Sequence, residues 1–325
     1  MPRHHIVPKM TLRRFATANE RIVMHQRAGD RHLETTVNTA CAEVGFYEIS
    51  AADIDPAFQD MHDPEIIEKT LSGIETDAKR VFDAMLSGSF PLTAENKFHT
   101  SLFLALQINR GWDFREKVAQ IADSLMPYLV EIATSPEKVR AFLREHNLPM
   151  DEASIESFRA DARKNPPRLV AGKTFLIQEA LRAALRDTLP HLLHRSWRIL
   201  RFESPCLLTS DHPFGYWSPA NKRISLGIGN APVVYYPLDR TSALAMHLRS
   251  RTEEFARVAG FTRAHQINAL VASEASKWIF HHPDDRPLEG IDLAPKAKPI
   301  DDVVQRWVDS DGLVHEVHRL SWDKG

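Results

Sequence analysis

Hydrophobic positions in the first fifty residues come in short alternating runs, and beyond residue 60 they switch to helical spacing. Residues 8–15 read as a short helix or turn. Residues 22–25 read as a strand, Arg27-Ala-Gly-Asp-Arg31 as turn chemistry, and 33–37 as the return strand of a hairpin. Residues 46–49 suit a third short strand. An acidic loop, 53–63, ends in a helix start: Asp63 can accept from free N–H groups, Pro64 suits the first helical position, and Glu65 favours the positive end of the dipole. Ile67, Leu71, Ile74, Ala78, Val81, Phe82 and Met85 then recur at three- and four-residue steps up to Gly88.

Helical spacing continues over 93–133, with breaks expected at Gly111 and Pro127. Ser135-Pro136-Glu137 opens a third helix and Asp151 a fourth, which ends before Asn165-Pro166-Pro167. A fifth covers 174–193, where Pro190 bends or ends it. Then the pattern changes to β-like runs at 197–202, 206–209, 233–236 and 243–247, separated by Pro, Gly, Asn and Asp. Residues 252–280 read as helix again, with Phe255, Val258, Ile267, Leu270, Val271 and Ala275 as its apolar positions. The tail, 300–322, reads as a hairpin turning at Asp309-Ser-Asp-Gly312. The expected class is α+β in one domain over 1–325. A helical subregion, 63–194, would pack on a mostly antiparallel sheet built from both ends of the chain.

Composition narrows the function classes. No apolar run approaches the roughly 20 residues of a membrane-spanning helix, and no continuous apolar segment follows the opening Met-Pro-Arg-His-His. Two cysteines, Cys41 and Cys206, cannot build a disulfide framework, so a reduced cytoplasmic setting is expected. Net charge is −2 over 325 residues, which argues against the broad positive field of a non-specific nucleic-acid binder. The first 32 residues differ, at +5, and hold His4, His5, His25 and His32 as well, so a local anion site is expected there.

The familiar catalytic signatures are absent. Gly227-Ile-Gly229-Asn-Ala-Pro232 lacks the third glycine of a dinucleotide fingerprint, and there is no phosphate-binding P-loop, H-E-x-x-H or G-x-S-x-G. Ser210-Asp211-His212 holds the letters of a hydrolase triad, but on a strand Asp211 faces away from its two neighbours. Asp211 alone is of interest, at the end of an apolar strand before Pro213, where it either builds a site or caps a turn through backbone N–H groups. His99, Phe103, Gln107, Arg110 and Phe114 form a line on an otherwise apolar helix. A buried Arg110 needs a carboxylate, from Glu68 or Glu75 of the preceding helix or from a ligand. His4 and His5 precede the rigid Ile6-Val7-Pro8, which can hold one imidazole inward. His191 with His194, His281-His282 and the two cysteines read as structural.

These residues resemble a bacterial family, domain of unknown function 4238. The opening His5-Ile-Val7-Pro8-Lys-Met-Thr-Leu12-Arg13-Arg-Phe15 is similar to its H-x-V-P-x-x-x-L-[RK]-x-F element. Val44-Gly-Phe46-Tyr47, Leu104-Ala-Leu106-Gln107-x-x-Arg110 with Phe114-Arg115, Leu208-Thr209-Ser210-Asp211-x-Pro213, Tyr236-Pro237-Leu238-Asp239 and Ile267-Asn268 follow in order. The resemblance covers residues 4–282 and leaves out the C-terminal hairpin. It implies no settled activity, but it gathers the polar positions above into matched elements and adds Asn268.

The expectation is a hydrolase-like protein with a polar His/Arg/Asp cleft for a phosphate-bearing substrate, a nucleic acid or nucleotide. His5, Glu75 and Asp211 would be catalytic, and Gln107, Arg110, Arg13 and Asn268 would bind the substrate. Asp211 and Glu75, within about 5 Å of one another, would hold a divalent Mg or Mn ion. The alternative is a non-catalytic ligand-binding, sensor or interaction module, by analogy in a bacterial conflict system, in which Arg110 is fully paired and Asp211 caps a turn. A third reading has the late hairpin, with Trp307 and Trp322, adding to a partner's sheet.

Overall fold

A computed structural model describes residues 3–29, 31–49, 63, 65–166, 172–219, 226–248, 254–257, 260–293, 299–308 and 314–322. The chain opens with β1 (Arg3–His5) and α1 (Lys9–Leu12), which runs into a 3-10 turn over Arg13–Phe15. Pro8 precedes α1 with its carbonyl accepting from Thr11 and Leu12, and Leu12 and Phe15 are fully buried. The expected hairpin follows as β2 (Arg21–Gln26) and β3 (His32–Thr36), paired from Arg21↔Thr36 to His25↔His32. The third short strand lies upstream of the expected 46–49. It is β4 (Ala42–Val44), antiparallel to β1. Gly45, at φ +64°, then turns the chain so that Phe46 and Tyr47 enter the core instead of extending a strand.

The helical region is α2 (Ile66–Leu86), α3 (Ala94–Asn109), α4 (Trp112–Ala133), α5 (Pro136–Glu145), α6 (Glu152–Lys164) and α7 (Lys173–Arg182). Thr93 and Asp151 cap α3 and α6 through their side chains. Gly111 separates α3 from α4 as expected. Pro127 does not break α4: it sits on the exposed side of the helix, as does Asp123 one turn before it. Pro190 has its effect one turn early. A π-helical turn over Ala183–Thr188 joins α7 to α8 (Leu189–Leu193), and Thr188 accepts a hydrogen bond from Asn109 Nδ2 at 2.8 Å.

The second half supplies β5 (Ser196–Arg201), β6 (Thr209–Ser210), β7 (Gly215–Trp217), β8 (Val233–Asp239), β9 (Ser242–His247), β10 (Glu254–Arg257), α9 (Phe261–Glu274) and β11 (Trp278–His281). The strands form a five-stranded sheet, β10-β5-β9-β8-β7, and a four-stranded sheet, β3-β2-β11-β6. The second joins N-terminal β2 and β3 to β6 and β11, so the fold is α+β with strands from both chain ends. Only β10 with β5 pairs in parallel among the described strands. The helix expected over 252–280 is shorter than its apolar pattern: Phe255 lies on β10, and α9 starts after Gly260, at φ +150°. Trp278 and Phe280 belong to β11, and Val258 lies outside the described residues. Gly215 lets β7 lie against α9, since a Cβ there would stand 2.8 Å from the Leu270 Cβ. One hydrophobic cluster runs from Ile6 to Phe280, and a small satellite of Val139, Leu143 and Ile155 holds α5 to α6. The tail is the expected hairpin, β12 (Pro299–Val308) with β13 (Val314–Trp322), and its turn lies outside the described residues.

Candidate functional site

The site grows from the C-terminal end of α3. Arg110 ends that helix and its side chain is almost wholly buried. Its Nε and Nη2 both donate to Gln107 Oε1, at 3.1 and 2.7 Å, and Nη1 donates to Glu75 Oε1 of α2 at 2.9 Å. Gln107 in turn donates from Nε2 to the Ile6 carbonyl, at 3.4 Å. The helix pair and the chain opening are thereby tied by one polar relay inside an apolar region, the arrangement that a buried guanidinium requires.

Glu68 lies two turns before Glu75 on α2. Its carboxyl is raised above the ordinary 4.5, first by burial and then by Glu75, with Arg110 opposing. Glu68 accepts no hydrogen bond from the described residues. Tyr47 is buried beside the same charges, its hydroxyl pushed well up by burial and without a hydrogen bond among the described residues. Arg115, one turn into α4, donates to the Phe46 carbonyl and stacks on the Phe46 ring with its guanidinium carbon 3.4 Å from the centroid.

Beside this cluster, between α2, α3, α4 and α7, lies a small pocket that is partly open to solvent. Its walls are apolar, from Ile67 and Leu71, Leu106, Phe114, and Ile177 with Leu181. Tyr47, Asn109, Arg110 and Arg115 are the polar residues of the lining. Concave, apolar sites with a few convergent polar groups are the usual form of small-molecule sites.

The expected site residues divide. Gln107, Arg110 and Glu75 come together. Asp211 is close by, since a Cβ on Gly111 would lie 3.8 Å from the Asp211 carbonyl and buried Cys41 senses the charges of both Asp211 and Arg110. Its carboxylate, however, serves another purpose: Oδ1 accepts from the Ser276 N–H at 2.7 Å, and Oδ2 from Lys277 and Trp278 at 2.6 and 2.9 Å. It clamps the turn between α9 and β11, a remote backbone segment. Asn268 likewise bonds backbone, accepting from the Leu208 N–H and donating to the Cys206 and Pro287 carbonyls. Arg13 reaches an exposed pair with Glu20 at 2.7 Å.

The inward imidazole is His4. The Tyr47 N–H donates to its Nδ1 at 2.7 Å, burial lowers its basicity, and Nε2 has no hydrogen-bond partner among the described residues. His5, on the other face of β1, has Nε2 3.2 Å from the Asn38 carbonyl. None of the hydrogen bonds of the Arg110 relay involves His5, Arg13 or Asn268. For the expected Mg or Mn ion, the described residues contain no group of three or more His, Cys, Asp and Glu that could hold a metal. Tyr47 and Arg115, which line the pocket, were signalled only by their place in the motifs Val44-Gly-Phe46-Tyr47 and Phe114-Arg115.

The family described as protein of unknown function (DUF4238) matches residues 3–285. The chain belongs to this family. The match includes all of the relay and the pocket, and the C-terminal hairpin lies beyond it. No curated protein and no solved structure matches the chain. No helix among the described residues of this DUF4238 member is long and apolar enough to cross a membrane.

Proposed function

We propose that this chain is a binding module for a small anionic amphiphile, a molecule with an apolar body and one acidic head group. The observation that carries this reading is an apolar pocket that has two arginines, Arg110 and Arg115, among its lining residues. Arg110 is largely neutralised by Glu75. Arg115 has a carbonyl and a ring as neighbours and no carboxylate at hydrogen-bond distance among the described residues. An anionic head group would meet the Arg115 guanidinium, with Glu43 the nearest opposing charge, and a free phosphate would gain nothing from the apolar walls. Fluorescence titration with anilinonaphthalene sulfonate and with uncharged phenylnaphthylamine tests this. Arg115→Gln is expected to weaken the sulfonate about tenfold and the neutral probe less than about twofold. Equal effects on both probes, or none, would refute the reading.

A catalytic reading is favoured by one observation, the raised carboxyl of Glu68 beside Glu75 and Arg110. There Glu68 would act as general acid in hydrolysing a phosphate or carboxylic ester held in the pocket. Turnover of nitrophenyl phosphate or nitrophenyl decanoate by the wild-type chain, lost in Glu68→Gln, supports it; no turnover ends it.

A further inference from the structure

Helix α4 carries an apolar face that the other described residues leave uncovered. Ala122, Met126 and Val130 are buried against the fold. On an adjoining face Ile121, Leu125, Tyr128, Leu129 and Ile132 are 52, 51, 39, 44 and 62% exposed. With Phe114 and Val118, the positions 114, 118, 121, 125, 128 and 132 follow steps of four, three, four, three and four. That is the 3.5-residue repeat of a helix that packs lengthwise against another helix. The remaining face is polar, with Glu116, Gln120 and Asp123.

We infer that this seam is an interface between two copies of the chain, with α4 packed antiparallel on α4 of the second copy. The repeat is self-complementary about a two-fold axis near residue 123. Leu125 then lies over Ile121 of the second copy, and Val118 over Tyr128. The flanking charges choose the orientation. Lys117 and Glu131 occupy equivalent flanking positions at opposite ends of the seam, so only an antiparallel pair sets Lys117 of one copy beside Glu131 of the other. A parallel pair would set Lys117 beside Ala122, and Glu131 beside Pro136. Within one chain Lys117 binds Asp113 at 2.8 Å, Glu131 binds Arg163 at 2.5 Å and Arg159 at 3.1 Å, and both Lys117 and Glu131 keep solvent exposure. The dimer contact would extend these pairs into an alternating row of charge. The outermost layer would put Ile132 of the second copy against Phe114, which also lines the pocket.

The seam is short. Five large side chains, about half exposed, leave on the order of 500 Å² per chain, below the roughly 800 Å² per partner of a standard interface. The dimer is therefore expected to be concentration-dependent, with a dissociation constant in the micromolar range. Sedimentation velocity on the full chain, from low micromolar to several hundred micromolar, is expected to show a monomer–dimer equilibrium. Leu125→Glu is expected to weaken it at least about a hundredfold with unchanged circular dichroism. A Ser124→Cys chain is expected to form a disulfide dimer under mild oxidation, and an Ile132→Cys chain is not, because the antiparallel pairing separates its two thiols. A wild-type chain that stays monomeric throughout, including one that instead binds anionic phosphatidylglycerol vesicles, overturns the inference. So does a dimer unaffected by Leu125→Glu, or one cross-linked through Ile132→Cys and not through Ser124→Cys.

Discussion

Gln107 Oε1 accepts two hydrogen bonds from the edge of Arg110, one turn further along the same helix, and so turns the guanidinium toward Glu75. The neutral amide fixes the orientation of the charge without cancelling it. The carboxylate that balances Arg110 comes from the neighbouring helix, which makes the relay a tie between α2 and α3 as well as the polar end of the pocket.

Replacing Gln107 by Leu removes the acceptor from two donors of a buried charged group. The expected cost is roughly 1.5–3 kcal/mol of unfolding free energy, measured by urea denaturation. Gln107→Glu keeps an acceptor at the same place and is expected to lose less. Equal losses would mean that the amide acts through packing alone.

Asp211 is expected to matter for stability far more than His5. Asp211→Ala leaves three backbone N–H groups of the α9–β11 turn without their acceptor, at an expected cost of about 2–4 kcal/mol. His5→Ala, at a partly exposed position, is expected to cost less than about 1 kcal/mol. Hydrogen exchange of the Ser276–Trp278 amides reads the same effect locally: faster exchange is expected in Asp211→Ala, and unchanged exchange would contradict the clamp.

Much of this was legible in the letters. Caps at Thr93 and Asp151 and apolar spacing marked the helices because these signals are local. Arg110 stood out because a charge on an apolar helix face demands a partner. The role of Asp211 was hidden, since its carboxylate serves a segment 65 residues further on. Which of His4 and His5 turns inward depends on a one-residue register with β4, where His4 pairs with Glu43, and neighbours on a strand face opposite ways. The pocket itself depends on α7 packing against α3 and α4, contacts distant in the sequence that no local pattern specifies.

Glu68 gives a pH signature. A carboxyl raised in the folded state contributes stability that is complete below its ordinary 4.5 and is lost as pH rises through its folded value. At neutral pH the ionised group is therefore a burden. Glu68→Gln is expected to raise the melting temperature at pH 7, and the gain is expected to vanish near pH 4. A gain that is the same at both values would place the effect outside ionisation.

The pocket carries the functional reading, and calorimetric titration with decanoate tests it most directly. The wild-type chain is expected to bind one decanoate per chain in the micromolar range. Ala180→Trp, which fills the space between α7 and α3, is expected to abolish the heat while leaving the circular dichroism unchanged. No binding by the wild-type chain, or undiminished binding by Ala180→Trp, would contradict the assignment.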